Sequence, residues 1–134
     1  MFGGLQRETG TMAHGSFAWN ELMTNDVEKA KSFYRSAIGW QIEEMKMPNG
    51  SYWIAKEDGK MVAGIMDMTG MVPPGVPPHW FAYIEVDDVD ARVKSVAAHG
   101  GTVMRPPFDS PDVGRIAIVA DATGAPVGLM TPKH

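Results

Sequence analysis

Cysteine is absent from this chain of 134 residues. Disulfides, thiolate metal sites and a cysteine nucleophile are excluded with it. Basic runs are absent too. The formal net charge is −4, with 12 Lys and Arg scattered among 16 Asp and Glu, so nothing calls for a nucleic-acid partner or an anionic membrane surface. No apolar run reaches the roughly 20 residues that a membrane-spanning helix needs. The segment 1–15 lacks the basic start and apolar stretch of a secretion signal. It reads as a mobile tail, and a cytoplasmic protein is expected. Histidine is scarce, at four, and forms no cluster with metal-ligand spacing. His14 falls in the tail, His134 is the last residue, and His99 sits at a helix C-terminus, where a cation is favoured. A Gly-rich phosphate loop, a Gly-x-Ser-x-Gly elbow and a zinc-protease helix motif are all missing.

What remains is ordinary in bulk and informative in pattern. With 44% hydrophobic and 21% charged residues, the chain has the composition of one globular domain. Its 15 Gly, 10 Pro and 11 Met suit short strands, many turns and an adaptable interior. The most telling stretch is His79–Val86. Trp80, Ala82, Ile84 and Val86 form one apolar face, as in a strand packed under a helix. His79, Phe81, Tyr83 and Glu85 form the other. Aromatics mixed with an imidazole, a phenol and a carboxylate suit a ligand cavity wall, and they also suit a half-exposed sheet face.

Earlier in the chain, Phe17–Thr24 alternates as a strand, with Phe17, Trp19, Glu21 and Met23 on one face. Asn25 or Asp26 caps a helix in which Val27, Ala30, Phe33, Tyr34, Ala37 and Ile38 recur at helical spacing, and Gly39 ends it. Strands follow at Trp40–Met47, Ser51–Lys56 and Lys60–Met68, joined by turns at Pro48-Asn49-Gly50 and Asp58-Gly59. Thr69–Pro78, with four Pro and two Gly, is a stiff connector. The order then recurs. After His79–Val86 come a cap at Asp87 or Asp88 and a stripe of Val89, Val93, Val96 and Ala97, stopped at Gly100-Gly101. Strands follow at Thr102–Pro106, Val113–Ala120 and Pro126–Met130, with turns at Ser110-Pro111-Asp112 and Ala122-Thr123-Gly124. Asp26-Val27-Glu28 lies thirteen positions before Gly39, and Asp88-Val89-Asp90 thirteen before Gly101. Gly64-Ile65-Met66 matches Gly128-Leu129-Met130. Two copies of strand–helix–three strands at equal spacing indicate an internal repeat. The fold class is α+β, with two tandem βαβββ modules at about 16–68 and 79–132, a linker at 69–78, and one domain over 16–132.

The residues Asp26…Phe33-Tyr34…Gly39-Trp40, Tyr83-Ile84-Glu85-Val86-Asp87-Asp88-Val89, Gly114-Arg115 and Asp121…Gly124 resemble those of the vicinal oxygen chelate superfamily. That group includes glyoxalase I, extradiol dioxygenases and bleomycin-resistance proteins. The resemblance runs from about Ser16 to Pro132. It implies curved sheets enclosing a cavity, helices on the outer faces, and a homodimer. It also implies four metal-ligand positions, which here fall at Trp19, Gly64, Phe81 and Gly128. None of these offers a side-chain donor, so no metal or other cofactor is expected. Glycines open the cavity centre, while Trp19 and Phe81 supply flat walls for a planar or apolar small molecule. The competing outcome is that the rings collapse into the space and fill it.

Glu21 shares a face with Trp19. A carboxylate there is costly to bury unless paired or protonated, so it is a candidate general base or ligand anchor. Tyr83 holds the equivalent position in the second module, as a donor to a substrate oxygen or a partner for Glu21. Glu85 is expected at the rim. His79 is a cavity candidate or an exposed linker residue. Arg115 could receive an acidic ligand or be paired at the surface. Tyr52 and Trp53 point to opposite faces, so one of them at most lines the cavity. The expected function is binding of an organic small molecule in a metal-free cavity, by a glyoxalase/bleomycin resistance-like protein. The alternative is a metal-independent enzyme with Glu21 as base and Tyr83 in support. A metal-dependent lyase or dioxygenase is a further alternative.

Overall fold

The computed structural model describes residues 13–48, 50–110 and 113–132. Residues 1–12 of the expected tail, Asn49, Pro111 and Asp112 of the expected turns, and His134 lie outside the described residues. The chain divides into two compact units, Trp19–Ala82 and Met1–Ala18 with Tyr83–His134. The element order is strand–helix–three strands, twice, so the fold is α+β with a repeated βαβββ module.

In the first module, β1 (Phe17–Thr24) leads into α1 (Val27–Ala37), followed by β2 (Gln41–Met47), β3 (Gly50–Glu57) and β4 (Lys60–Asp67). The helix starts at Asp26 because the carboxylate accepts the Lys29 N–H at 3.0 Å, satisfying an otherwise orphan donor. It ends where Gly39 turns left-handed, at φ 90°, and the N–H groups of Ile38, Gly39 and Trp40 all fold back onto the Tyr34 carbonyl. The strands lie in the order β2-β3-β4-β1, with β4 and β1 parallel. The helix covers one sheet face, burying Leu22, Val27 and Ile65 against Ala30, Tyr34, Ile42 and Trp53. Full burial of an Ile such as Ile65, which is 0% exposed, contributes about 1.5–3 kcal/mol.

The helical stripe is narrower than the sequence suggests. Phe33 and Ile38 are 58% and 56% exposed. Tyr34 takes the inward position instead and stacks on Trp40 at 5.0 Å, with Trp80 edge-on at 5.7 Å. The Trp80 indole N–H donates to the Tyr34 hydroxyl at 3.2 Å.

The second module comprises β5 (His79–Glu85), α2 (Val89–Val96), β6 (Thr102–Ser110), β7 (Gly114–Ala120) and β8 (Pro126–Pro132). Its strands lie in the order β5-β8-β7-β6, with β5 and β8 parallel. Asp88 caps α2 through the Ala91 N–H at 3.2 Å. Val86, Val89, Ala117, Val119 and Leu129 form the core beneath this helix.

Several expectations are narrowed or corrected here. Of the expected stop Gly100-Gly101, Gly100 is the left-handed residue, at φ 90°, after a 3₁₀ turn over Ala97–His99. Gly101 is required for space, since a Cβ there would lie 2.6 Å from the Ala120 carbonyl oxygen. Strand β6 does not stop at Pro106. Its pairing lapses between Arg105 and Phe108, where two prolines lack N–H groups, and resumes at Phe108 opposite Ile116, which an edge strand tolerates. Residues 13–15, expected in the mobile tail, are pinned to β5. The Gly15 N–H donates to the Glu85 carbonyl at 2.7 Å, and His14 Nδ1 accepts the Asp87 N–H at 3.0 Å.

Candidate functional site

The strands of each module have one face under a helix and one face without. Strand alternation decides which side chains reach the second, and on β1 these are Trp19, Glu21 and Met23, because Leu22 is committed to the helix side. Register places Glu21 beside Gly64 of β4, as Cα partners in the parallel pair. On β3, Trp53 goes to the helix side, where the Lys31 ammonium lies 5.3 Å from its ring centre. Tyr52 therefore takes the open face. The Trp19 indole N–H donates to the Tyr52 hydroxyl at 2.8 Å. The Tyr52 ring lies directly on Gly64: a Cβ there would stand 1.6 Å from its hydroxyl oxygen. Glu21 is 7% exposed, a depth at which a carboxylate must be hydrogen-bonded. No buried side-chain polar atom among the described residues lacks a partner.

The second module repeats this device with one change. Tyr83 is the Cα partner of Gly128, and a Cβ at Gly128 would stand 2.2 Å from the Tyr83 ring. Both glycines are thus glycines because a tyrosine ring occupies the place of their side chain. In the first module that ring comes from the third strand, and in the second from the first. The Cα partners of the glycines are Glu21 and Tyr83, two positions on from Trp19 and Phe81.

Other candidates fall elsewhere. Glu85 is not a rim residue. It is 2% exposed, and its carboxylate accepts the Ala13 N–H at 2.8 Å, so the segment expected to be loose is what covers it. Arg115 is not on the open face. It shares the helix side of β7 with Ala117 and Val119, and Asp90 of α2 accepts two of its N–H groups at 2.7 and 3.0 Å. Asp109 accepts a third at 3.2 Å. These carboxylates hold the Arg115 guanidinium above its ordinary pKa, and hydrogen bonds from Arg115 hold Asp90 below the usual carboxylate value. His79 contacts the connector, with Nδ1 2.9 Å from the Pro77 carbonyl oxygen. Phe81 is half-buried. Tyr52 is the residue that sequence reasoning left undecided. The hairpin register was the missing signal, since Ile54 pairs with Gly64 and the same face two residues back is Tyr52.

Indole, phenyl and glycine occupy the positions that the resemblance assigns to ligands. Among the described residues no three His, Asp or Glu side chains converge as a metal site needs. No helix among them is long and apolar enough to cross a membrane.

The chain is 45% identical over 117 residues to the "Putative glyoxylase CFP32" of Mycobacterium tuberculosis, a match covering 86% of this chain and 45% of that protein. It is 34% identical over 125 residues to the "Anthracycline biosynthesis protein DnrV" of Streptomyces peucetius, covering 84% of this chain and 46% of that one. The chain thus spans less than half the length of these relatives. Among solved structures it shares the fold of methylmalonyl-CoA epimerase from Mycobacterium tuberculosis, with a TM-score of 0.62 at 16% identity, covering 98% of this chain and 96% of that one. Residues 16–129, from just before β1 into β8, match one family model, so the chain belongs to the Glyoxalase/Bleomycin resistance protein/Dioxygenase superfamily.

Proposed function

We propose that this chain binds an organic small molecule, without a metal, on the helix-free face of the unit Trp19–Ala82. The observation that carries the reading is the group over Gly64: an indole, a phenol and a buried carboxylate on one open sheet face. Flat rings favour a planar, largely apolar ligand, and the few polar groups among them fix its orientation. A polycyclic aromatic compound is the class that the name of the Streptomyces peucetius relative suggests. Phe81 and His79 on β5 are further candidates within this unit, and the Tyr83 ring over Gly128 is a separate instance of the same chemistry within the other unit.

Equilibrium dialysis against menadione, a small planar quinone, tests this directly. The chain has no cysteine for the quinone to alkylate. Saturable binding is expected, weakened at least tenfold in Trp19→Ala, about the 1.4 kcal/mol that a stacking wall contributes. Absence of saturable binding, or binding indifferent to Trp19→Ala, overturns the reading.

The burial of Glu21 supports a second reading, a metal-independent proton transfer with Glu21 as base. Under it, Glu21→Gln keeps ligand binding and loses turnover. Full turnover by that variant on an identified substrate refutes it.

A further inference from the structure

We infer that Met45 and Met66 are the two walls between which the ligand's aromatic ring is held, with a thioether at each of its edges. This rests on the small-molecule reading of the same face. Strand register puts four side chains in one row across the unit Trp19–Ala82. Met45 of β2 is the Cα partner of Tyr52 of β3, and Met66 of β4 is the Cα partner of Met23 of β1. Trp53 pairs with Ile65, so Tyr52 and Met66 come level one position further along. Ile42, Trp53, Ile65 and Leu22 are committed to the helix, so alternation turns all four residues of the row to the open face.

The Tyr52 ring does not fill its own place in that row. It leans along the sheet to the next row on the same face, onto Gly64, whose missing side chain gives it room. The place left over lies between Met45 and Met66, which are two strand spacings apart, roughly 10 Å. A ring seated midway stands about 5 Å from each sulfur, the separation at which a thioether and an aromatic ring attract. Both methionines are open to a ligand. Met45 is 46% exposed and Met66 is half-buried, whereas Met23 closes the end of the row at 9%. The unbranched side chains also shift to follow ring systems of different width. Trp19 supplies the flat surface, and the thioethers supply the edges.

Oxidative footprinting of the wild-type chain tests the placement without a variant. Met45 is the single methionine of the tryptic peptide 36–46 and Met104 that of 95–115, so each sulfoxide is read separately by mass. Met104, 59% exposed on β6 of the other unit, is the control. Saturating menadione is expected to slow chloramine-T oxidation of Met45 by about threefold or more, since oxidation follows exposure, and to leave Met104 unchanged. In the double variant Met45→Leu with Met66→Leu, which keeps the apolar bulk and removes both sulfurs, menadione should bind about fivefold more weakly. Met104→Leu should bind it as the wild type does. Saturable menadione binding with no protection of Met45, or with undiminished affinity in the double variant, overturns the inference while the small-molecule reading stands. If the wild type does not bind menadione, both fall.

Discussion

Adding a single methyl group at Gly64 probes the arrangement on which the site depends. The backbone at Gly64 has ordinary dihedrals, so Gly64→Ala carries no conformational strain and its effect is steric. The new Cβ would overlap the Tyr52 hydroxyl at 1.6 Å and its ring at 2.3 Å, far inside contact distance. Tyr52 is the mobile party and must swing away. That breaks its hydrogen bond with Trp19, at a cost of about 1 kcal/mol, and strips the ring of its seat, for a total of about 2 kcal/mol. The same methyl group added after Tyr52→Ala no longer meets the three atoms nearest to it, all of which belong to the Tyr52 ring and hydroxyl. There Gly64→Ala should be neutral or stabilising by about 0.5 kcal/mol, because alanine restricts the unfolded chain. The double-mutant cycle therefore predicts a coupling of about 2.5 kcal/mol, read from urea-unfolding midpoints of the four proteins. Additive effects, with Gly64→Ala costing the same in both backgrounds, would show that the ring does not sit where the geometry puts it.

Further outcomes follow from the electrostatics and caps. Hydrogen bonds from Arg92 at 2.8 and 2.9 Å hold the Asp87 carboxyl down, from the ordinary 3.8 to about 2. A depressed folded pKa means that the stabilisation is present above the unfolded value and is lost as pH falls from about 4 through 2. An NMR titration of Asp87 should show this midpoint, and Arg92→Gln should return it toward 3.8; no change in that variant would refute the assignment. Arg115→Met should leave menadione affinity unchanged, since Arg115 lies on the helix side among Asp90 and Asp109; a large loss would return it to the site. Asp26→Ala should cost about 1 kcal/mol through its lost cap, read as a lower urea midpoint with the slope unchanged.

Much of the architecture was legible because strong local signals agreed with the fold. Asp26 and Asp88, each one of two adjacent candidates in sequence, are the caps in structure, and alternation in β1 and β5 assigned faces to Glu21, Tyr83, Leu22 and Ile84. Where local signals compete, the sequence reading slipped. Tandem Gly100-Gly101 offered two stops, and only the 3₁₀ turn distinguishes the left-handed one from the one needed for space. Prolines argued for ending β6 early, although an edge strand carries them. Site membership was harder to read because it depends on inter-strand register. Tyr52 belongs on the open face only once Ile54 is known to pair with Gly64, and Arg115 leaves it only once β7 is known to turn Ala117 toward α2. The cover over Glu85 comes from a segment with no periodicity at all, held by backbone groups that composition cannot reveal.

Metal dependence of binding is the most direct trial of the central claim. Purified protein would be assayed for bound metals, stripped with a chelator, dialysed, and titrated with menadione before and after. The account predicts superimposable saturable curves, substoichiometric metal, and no response to added zinc or manganese. A stoichiometric metal whose removal abolishes binding, and whose return restores it, would contradict the account.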